Sequence, residues 1–159
     1  MKIDKVLITG GSGFVGTETI KLLEERGIKV FNFDIMLGYD IRDLELLDKT
    51  IQEIKPDRIL HLAATARFSE ADKDPILAFQ TNAWGTFNIG KIADKYHIPV
   101  VYSSTGSVYM PIDLEPPITE EFPARGNSVY AVSKYVGECY LRTFKNPYII
   151  LRYGHLYGK

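Results

Sequence analysis

The sequence has one cysteine, no block of basic residues and no long apolar run at its start. Cys139 cannot form a disulfide within the chain, and its helix-patterned apolar neighbours indicate a small packed side chain. The 19 basic and 20 acidic residues give a net charge of −1, which disfavours nucleic acid as a partner. Without a signal peptide or membrane span at the start, we expect a cytoplasmic protein with no membrane partner. No metal site is expected.

Short apolar runs alternate with longer amphipathic segments along the 159 residues. Strands are predicted at 6–9, 29–33, 58–62, 99–103 and 148–152, and helices at 14–26, 44–54, 75–96 and 129–144. Residues 105–127, with four prolines, predict a loop. This alternation predicts one α/β domain over residues 1–159, a doubly wound parallel sheet with helices on both faces. We expect about five strands in the order 3-2-1-4-5.

A glycine-rich turn follows the first predicted strand. Gly11, Gly13 and Gly16 fit G-x-G-x-x-G between a strand and a helix, which is the place of a dinucleotide-binding turn. We expect Gly11 to permit the tight turn, Gly13 to let the backbone approach a pyrophosphate, and Gly16 to let the helix pack on the sheet. N–H groups at the helix start would face the phosphates. The pattern favours a Rossmann-type fold over a flexible glycine-serine turn.

Asp34 ends the second predicted strand about 20 residues further on, where the dinucleotide fingerprint places an acidic residue. Its carboxylate would accept hydrogen bonds from ribose hydroxyls. The same charge would repel a 2′-phosphate, so the expected cofactor is NAD rather than NADP.

A second group of residues predicts acid–base chemistry. Tyr130 and Lys134 are four residues apart on a predicted helix and therefore share a face. An ammonium near the phenol would lower the pKa of Tyr130, and Lys134 could also hold a cofactor ribose. A hydroxyl of Ser103, Ser104 or Thr105, at the end of the fourth strand, could share a proton with a substrate oxygen. Such a group is typical of hydride transfer to a nicotinamide.

These motifs resemble those of the extended short-chain dehydrogenase/reductase family, the NAD-dependent sugar-nucleotide epimerases and dehydratases. The matching stretches follow in family order and are 9–16, 40–43, 61–64, 82–88, 103–105, 108–109, 130–134, 151–153 and 157–158. The resemblance implies a cofactor site formed by Gly10, Gly11, Gly13, Phe14, Val15, Gly16, Asp34, Asp40, Ile41, Leu62, Ala63, Ala64, Asn82, Ser103, Tyr130 and Lys134.

Within that site, the resemblance implies that Asp40 and Ile41 contact the adenine and that Asn82 supports the site. Two positions depart from the family pattern at the substrate end. Gly106 stands where dehydratases commonly begin an acidic pair, which disfavours elimination, and His155 stands where an asparagine often meets the substrate diphosphate. A histidine there could donate to a phosphate.

The resemblance implies an enzyme with Thr105, Tyr130 and Lys134 as catalytic residues, of which Thr105 also contacts the substrate. The expected reaction is epimerisation of a nucleotide sugar such as a UDP-hexose, by transient transfer of a hydride to NAD. Two alternatives stay open: a reductase or dehydrogenase of a related sugar, and a truncated NAD-binding module without turnover. Because the chain stops soon after the fifth predicted strand, we expect the family's C-terminal substrate domain to be absent. Family members often dimerise through the helices at 75–96 and 129–144, which implies a homodimer.

Overall fold

The computed structural model describes residues 3–109 and 117–158. Within this part of the chain, parallel strands form a sheet of five, namely β1 (Lys5–Thr9), β2 (Lys29–Phe33), β3 (Arg58–His61), β4 (Val100–Thr105) and β5 (Tyr148–Tyr153). The predicted parallel α/β sheet is confirmed. The predicted order 3-2-1-4-5 is wrong, because the observed order is β2-β1-β3-β4-β5 and β3 pairs directly with β1.

The polarity of the strands explains this order. β2 carries the polar Asn32 and is fully buried only at Phe33, as suits a strand at the edge of the sheet. β3 instead buries His61 beside β1, where the ring Nδ1 lies 2.7 Å from Thr9 Oγ1. Residues 34–43, all of them described, form a 3-10 turn at Ile35–Leu37 and no strand that could extend the sheet beyond β2.

The helices largely follow the prediction. They are α1 (Phe14–Glu25), α2 (Leu44–Ile54), α3 (Phe68–Lys73), α4 (Pro75–Phe79), α5 (Thr86–Tyr96) and α6 (Val129–Leu141). The short helix α3 was not predicted. A π-helical turn, Gln80–Gly85, joins α4 to α5 with helical dihedrals at both junctions, so the predicted helix over 75–96 is continuous. These three segments are called the long helix below.

Capping side chains mark the start of three of these six helices. Asp43 caps α2, Asp74 caps α4 and Ser128 caps α6, each by accepting a backbone N–H of the first turn. α1 differs, because its N-cap is Gly13 and no side chain accepts its first N–H groups.

An apolar core fills the space between the sheet and the helices α2, α5 and α6. Its buried members include Leu7, Phe33, Leu47, Ile51, Ile59, Ile89, Ile92, Tyr102 and Leu141. The sheet presents buried residues on both faces, which is expected when parallel strands are covered by helices on each side. Among the described residues, none of the helices has both the length and the apolar character needed to cross a membrane.

The predicted loop over 105–127 is described in part. Thr105 is the last residue of β4, and Gly106–Tyr109 form a 3-10 turn directly after it. Residues 110–116 lie outside the described residues, and 117–127 contain neither helix nor strand.

Close packing of α6 on the long helix requires a glycine at position 137. A Cβ there would lie 2.7 Å from the Tyr102 hydroxyl and 2.9 Å from the carbonyl oxygen of Asn82. We expect Gly137→Ala to reduce the free energy of unfolding by about 1–3 kcal/mol, measured by urea denaturation. Gly154→Ala is the control, because its Cβ would meet nothing within 4 Å. Equal stability of the two variants would contradict this packing.

Candidate active site

The carboxyl ends of the strands open into a cleft of about 1210 Å³. This is the edge of the sheet where open α/β folds bind their ligands, next to the point at which the strand order reverses between β1 and β3. The volume exceeds the roughly 300–1,000 Å³ of most small-molecule sites, so the cleft has room for more than one ligand.

Most residues predicted for the cofactor line this cleft. They are Gly10, Gly13, Phe14, Val15, Gly16, Asp34, Asp40, Ile41, Leu62, Ala63, Ala64, Ser103, Tyr130 and Lys134. The two residues predicted for the substrate, Thr105 and His155, line it as well. Gly11 and Asn82 do not, because Gly11 packs against the side chain of Asn32 and Asn82 is fully buried.

The glycine turn, residues 10–16, is closed by contacts that leave no room for side chains. The left-handed residue of the turn is Gly10, with φ of 71°, one residue before Gly11, which was predicted to permit the tight turn. A Cβ at Gly10 would lie 2.6 Å from the backbone nitrogen of Ala63, and one at Gly16 would lie 2.5 Å from the carbonyl oxygen of Gly10. Gly16 therefore lets α1 start directly against the turn, whereas the sequence assigned it to packing of the helix on the sheet.

Gly13 faces the open side of the turn. The nearest atom to an added Cβ would be the Gly10 carbonyl oxygen, at 3.3 Å, so the absent side chain leaves space in the cleft. The first N–H groups of α1 point from the same place and have no side-chain cap. Backbone donors at a helix N-terminus, next to space that only glycine leaves, fit a pyrophosphate.

Asp34 is 5% exposed and holds the glycine turn from the end of β2. Its Oδ2 accepts the Ser12 N–H at 2.9 Å, and its Oδ1 accepts the Met36 N–H at 2.9 Å. Because a carboxylate oxygen has two lone pairs, each oxygen can still accept a hydroxyl from the cleft. The site therefore fits a ribose.

Asp40 and Ile41 line the far end of the cleft. The Arg42 guanidinium donates to both carboxylate oxygens of Asp40, with Nη2 to Oδ2 at 2.6 Å, and these hydrogen bonds lower the pKa of Asp40. The Asn88 amide donates to the carbonyls of Ile41, at 3.1 Å, and of Arg42, at 3.2 Å. The long helix thus fixes this wall.

The predicted catalytic residues lie together on one side of the cleft. Thr105 and Tyr130 line this side of the cleft together, and Thr105 Oγ1 accepts the Ser107 N–H at 3.1 Å. Lys134 is only 2% exposed, and its Nζ lies 4.3 Å from the centre of the Tyr102 ring. Threonine, tyrosine and lysine therefore converge as the sequence predicts.

Burial has the largest effect on the pKa values of Tyr130 and Lys134. It raises the pKa of Tyr130, although the nearby Thr105 hydroxyl lowers it. Burial also lowers the pKa of Lys134 to about 7, against the carboxylate of Glu138, which raises it. The predicted lowering of the Tyr130 pKa is wrong for this structure, because the cost of desolvating a phenolate outweighs the favourable contacts.

A buried chain of hydrogen bonds supports the cleft from behind. Thr86 Oγ1 donates to the Asn82 carbonyl at 2.6 Å, so it accepts from His61 Nε2 at 2.9 Å. The ring of His61 therefore carries its proton on Nε2, and its Nδ1 accepts from Thr9 Oγ1 at 2.7 Å. Burial lowers the pKa of His61, which keeps the ring neutral. The chain joins β1, β3 and the long helix.

Asn82 uses its whole side chain to hold the loop after β3. Its Oδ1 accepts the Thr65 N–H at 2.8 Å, and its Nδ2 donates to the Thr65 carbonyl at 3.1 Å and to Ser133 Oγ at 3.0 Å. This geometry agrees with a supporting role for Asn82, whose side chain is fully buried and does not line the cleft.

Sequence reasoning missed Glu138. Its carboxylate is fully buried and accepts hydrogen bonds from Ser104 Oγ at 2.5 Å and from Arg152 Nε at 2.9 Å. Ser104 is one of the three candidate hydroxyls, and its proton is donated to Glu138 and not to a substrate in the cleft. The spacing along the sequence could have indicated Glu138. It follows Lys134 by four residues and Tyr130 by eight, so the three residues share one face of the helix.

The sequence is similar to a known protein family over nearly its whole length. The sequence model of the NAD dependent epimerase/dehydratase family matches residues 6–159. The chain belongs to this family. A putative UDP-glucose 4-epimerase of Methanocaldococcus jannaschii is 30% identical over 97% of this chain, which covers 56% of that protein. Epimerases, dehydratases and reductases, all of them enzymes, occur among the relatives.

Two solved structures are similar over nearly the whole chain. One is dTDP-4-dehydrorhamnose reductase from Bacillus anthracis in complex with NADP, with a TM-score of 0.91 and 30% identity, covering 100% of this chain and 56% of that one. The other is Thermus thermophilus UDP-glucose 4-epimerase in complex with NAD, with a TM-score of 0.89 and 31% identity, covering 97% and 56%. This chain thus spans about half the length of the relatives it matches.

Proposed function

We propose that this chain carries the NAD site and the catalytic group of an enzyme that epimerises a nucleotide sugar of the UDP-hexose class. The observation that carries the proposal is the presence of Thr105, Tyr130 and Lys134 in the same cleft as the glycine turn and Asp34. Similarity to UDP-glucose 4-epimerases supports the substrate class. Similarity to a sugar-nucleotide reductase supports reduction of a related sugar as the second candidate. A cytoplasmic location stays a prediction.

The described residues fit a dinucleotide along the cleft. The uncapped start of α1 and the open side of Gly13 suit the pyrophosphate, and the remaining lone pairs of Asp34 suit the ribose hydroxyls next to it. Ile41 supplies an apolar wall for the adenine at the far end. When bound, NAD supplies the acceptor for a sugar hydride and the donor for its return.

The protein's own part is proton transfer and positioning. Tyr130 takes the proton of the sugar hydroxyl at the carbon that is oxidised, and returns it when the sugar is reduced again. Thr105, which lines the same cleft as this phenol, holds the substrate oxygen in line. The Nζ of Lys134 has no hydrogen-bond partner among the described residues, so it is available for ribose hydroxyls and for the phenolate.

Loss of the phenol should stop turnover without removing the cofactor. We expect Tyr130→Phe to lower kcat for sugar conversion at least about 100-fold, because the hydroxyl proton then has no acceptor. The Kd for NAD should stay within about twofold, since the ring remains in place. Conversion of a panel of nucleotide sugars with NAD is followed by proton NMR, and Kd by calorimetry. Tyr153→Phe, in the same cleft, is the matched control.

The outcomes separate the candidates. Interconversion of epimers supports epimerisation, whereas net consumption of reduced cofactor supports the reductase. NAD binding without conversion of any sugar supports the third alternative, a cofactor-binding module that needs residues outside this chain. Tyr130→Phe with wild-type kcat would remove Tyr130 from its role, and a chain that binds no NAD would refute the proposal.

Asp34 should decide between the two nicotinamide cofactors. We expect Asp34→Ala to weaken NAD binding about tenfold, because charged hydrogen bonds to the ribose are lost. Binding of NADP should weaken less or improve, because the repulsion of its 2′-phosphate is removed. Calorimetric Kd values for both cofactors test this, with Asp72→Ala on α3 as an exposed control. An unchanged ratio of the two Kd values would contradict the assignment of Asp34.

We also propose a homodimer through the long helix and α6. These helices share an apolar face, and its exposed members are Ile76, Phe79, Trp84, Val132 and Tyr140. The ring of Phe87 joins the two helices within this face, at 5.3 Å from Trp84 and 5.2 Å from Tyr140. A second copy related by twofold symmetry would cover the same face on both chains.

A charge in this face should prevent association. We expect the wild-type chain to have twice the mass of one chain in light scattering, and Val132→Lys to have the mass of one, because a lysine would be buried without a partner. Leu22→Lys on α1, another exposed apolar position, should leave the mass unchanged. A wild-type chain that is monomeric at high concentration would refute the dimer.

A further inference from the structure

Glu138 is a buried acid that the proposed reaction does not use. Its side chain is 0% exposed, and both carboxylate oxygens accept hydrogen bonds from charged groups. Arg152 of β5 donates Nη2 to Oε2 at 2.6 Å, and Arg142, which directly follows α6, donates to the same oxygen at 2.9 Å. Ser104 of β4 donates to Oε1 at 2.5 Å. Three elements of the fold therefore meet at one carboxylate.

This network begins next to the proposed catalytic residues. Ser104 directly precedes Thr105 on β4, and Glu138 lies one helical turn from Lys134. Arg152 also donates to the Tyr109 hydroxyl at 2.5 Å, at the end of the 3-10 turn that follows Thr105. The hydrogen bonds from Arg152 and Ser104 outweigh the burial of Glu138 and lower its pKa, so the group remains an anion.

Burying such a network costs the fold more than an apolar replacement would. The free-energy cost of desolvating a carboxylate and a guanidinium is offset only when their hydrogen bonds have good geometry. Apolar residues of similar volume at the same positions often stabilise a fold equally well. Packing alone therefore gives no reason for an acid at position 138. The neighbouring turn of α6 gives a reason for an acid at position 138. Lys134 in that turn is only 2% exposed, and its Nζ has no hydrogen-bond partner among the described residues.

The groups that face Lys134 come from every element around it. Tyr130 and Glu138 lie one helical turn before and after Lys134 on α6, while His61 belongs to β3 and Tyr102 to β4. Burial lowers the pKa of His61 and raises the pKa of Tyr102 and of Tyr130, so these three groups are neutral near pH 7. Glu138 is then the charged member of this set, and it has the sign that favours an ammonium.

We propose that Glu138 is a positioning residue that acts through Lys134: from α6, where it contacts β4 and β5, it supplies the negative charge that keeps Lys134 protonated inside the core. The catalytic meaning of this role rests on the proposed function, but the charge relation itself does not. Removal of the anion would lower the pKa of Lys134, so that the ammonium persists only at lower pH.

The test is a direct titration of Lys134 without cofactor. Lysine is labelled with ¹³C at Cε, the Lys134 signal is assigned from its loss in Lys134→Met, and its shift is followed against pH by NMR. We expect Glu138→Gln to lower the pKa of Lys134 by about one unit from its wild-type value. Arg142→Gln, which removes an exposed contact of the same carboxylate, is the matched control and should move it by less than about 0.3 unit.

A second variant guards against loss of the fold, because an unpaired Arg152 destabilises the core. Glu138→Leu with Arg152→Met removes both charges together, a replacement that folded proteins tolerate. It should lower the pKa of Lys134 by less than Glu138→Gln does, because the positive charge of Arg152 is removed together with the anion. A Lys134 titration that matches the wild type in either folded variant overturns the proposal. NAD binding is measured separately on the wild-type chain, so failure of the proposed function and failure of this inference are distinguishable.

Discussion

Hydrogen bonds from the long helix hold three separate walls of the cleft in place. Asn82 binds the loop after β3, Thr86 reaches β1 through His61, and Asn88 binds the carbonyls before α2. Each of these side chains is buried, and each satisfies backbone groups or strand residues that face no water. A change in the rotation of this helix would therefore move the adenine end and the catalytic end of the cleft together.

Local patterns predicted the elements well and their arrangement less well. The strand and helix positions, and the residues that line the cleft, follow from apolar periodicity and from the glycine turn. The strand order depends on which strands pair, and the buried contact between His61 and Thr9 that places β3 beside β1 has no local signal. The motif assigned the tight turn to Gly11, whereas the left-handed residue is Gly10, where the backbone of Ala63 leaves no room for a side chain.

The buried polar residues were the hardest part to predict. A single asparagine or glutamate in a helix is most often solvated, and only tertiary contacts decide otherwise. Asn82 and Glu138 are buried because their partners, Thr65 and Arg152, come from other elements. The direction of the Tyr130 pKa was missed for a related reason, since spacing on a helix reports a neighbour but not the loss of water around it. Similarity of fold does not decide the reaction either, because an epimerase and a reductase resemble this chain almost equally.

The π-helical turn at Gln80–Gly85 also has a consequence for how this sequence can change during evolution. A π turn contains one residue more than an α-helix would use for the same backbone path. Deleting a single residue there would restore α-helical winding over the same backbone path, so the residues before and after the turn would keep their faces. Ile76 and Phe79 would stay exposed, and Thr86 and Asn88 would stay buried. The loss of one residue is therefore open to this stretch, whereas the same deletion inside α5 would rotate its two parts by about 100° relative to each other.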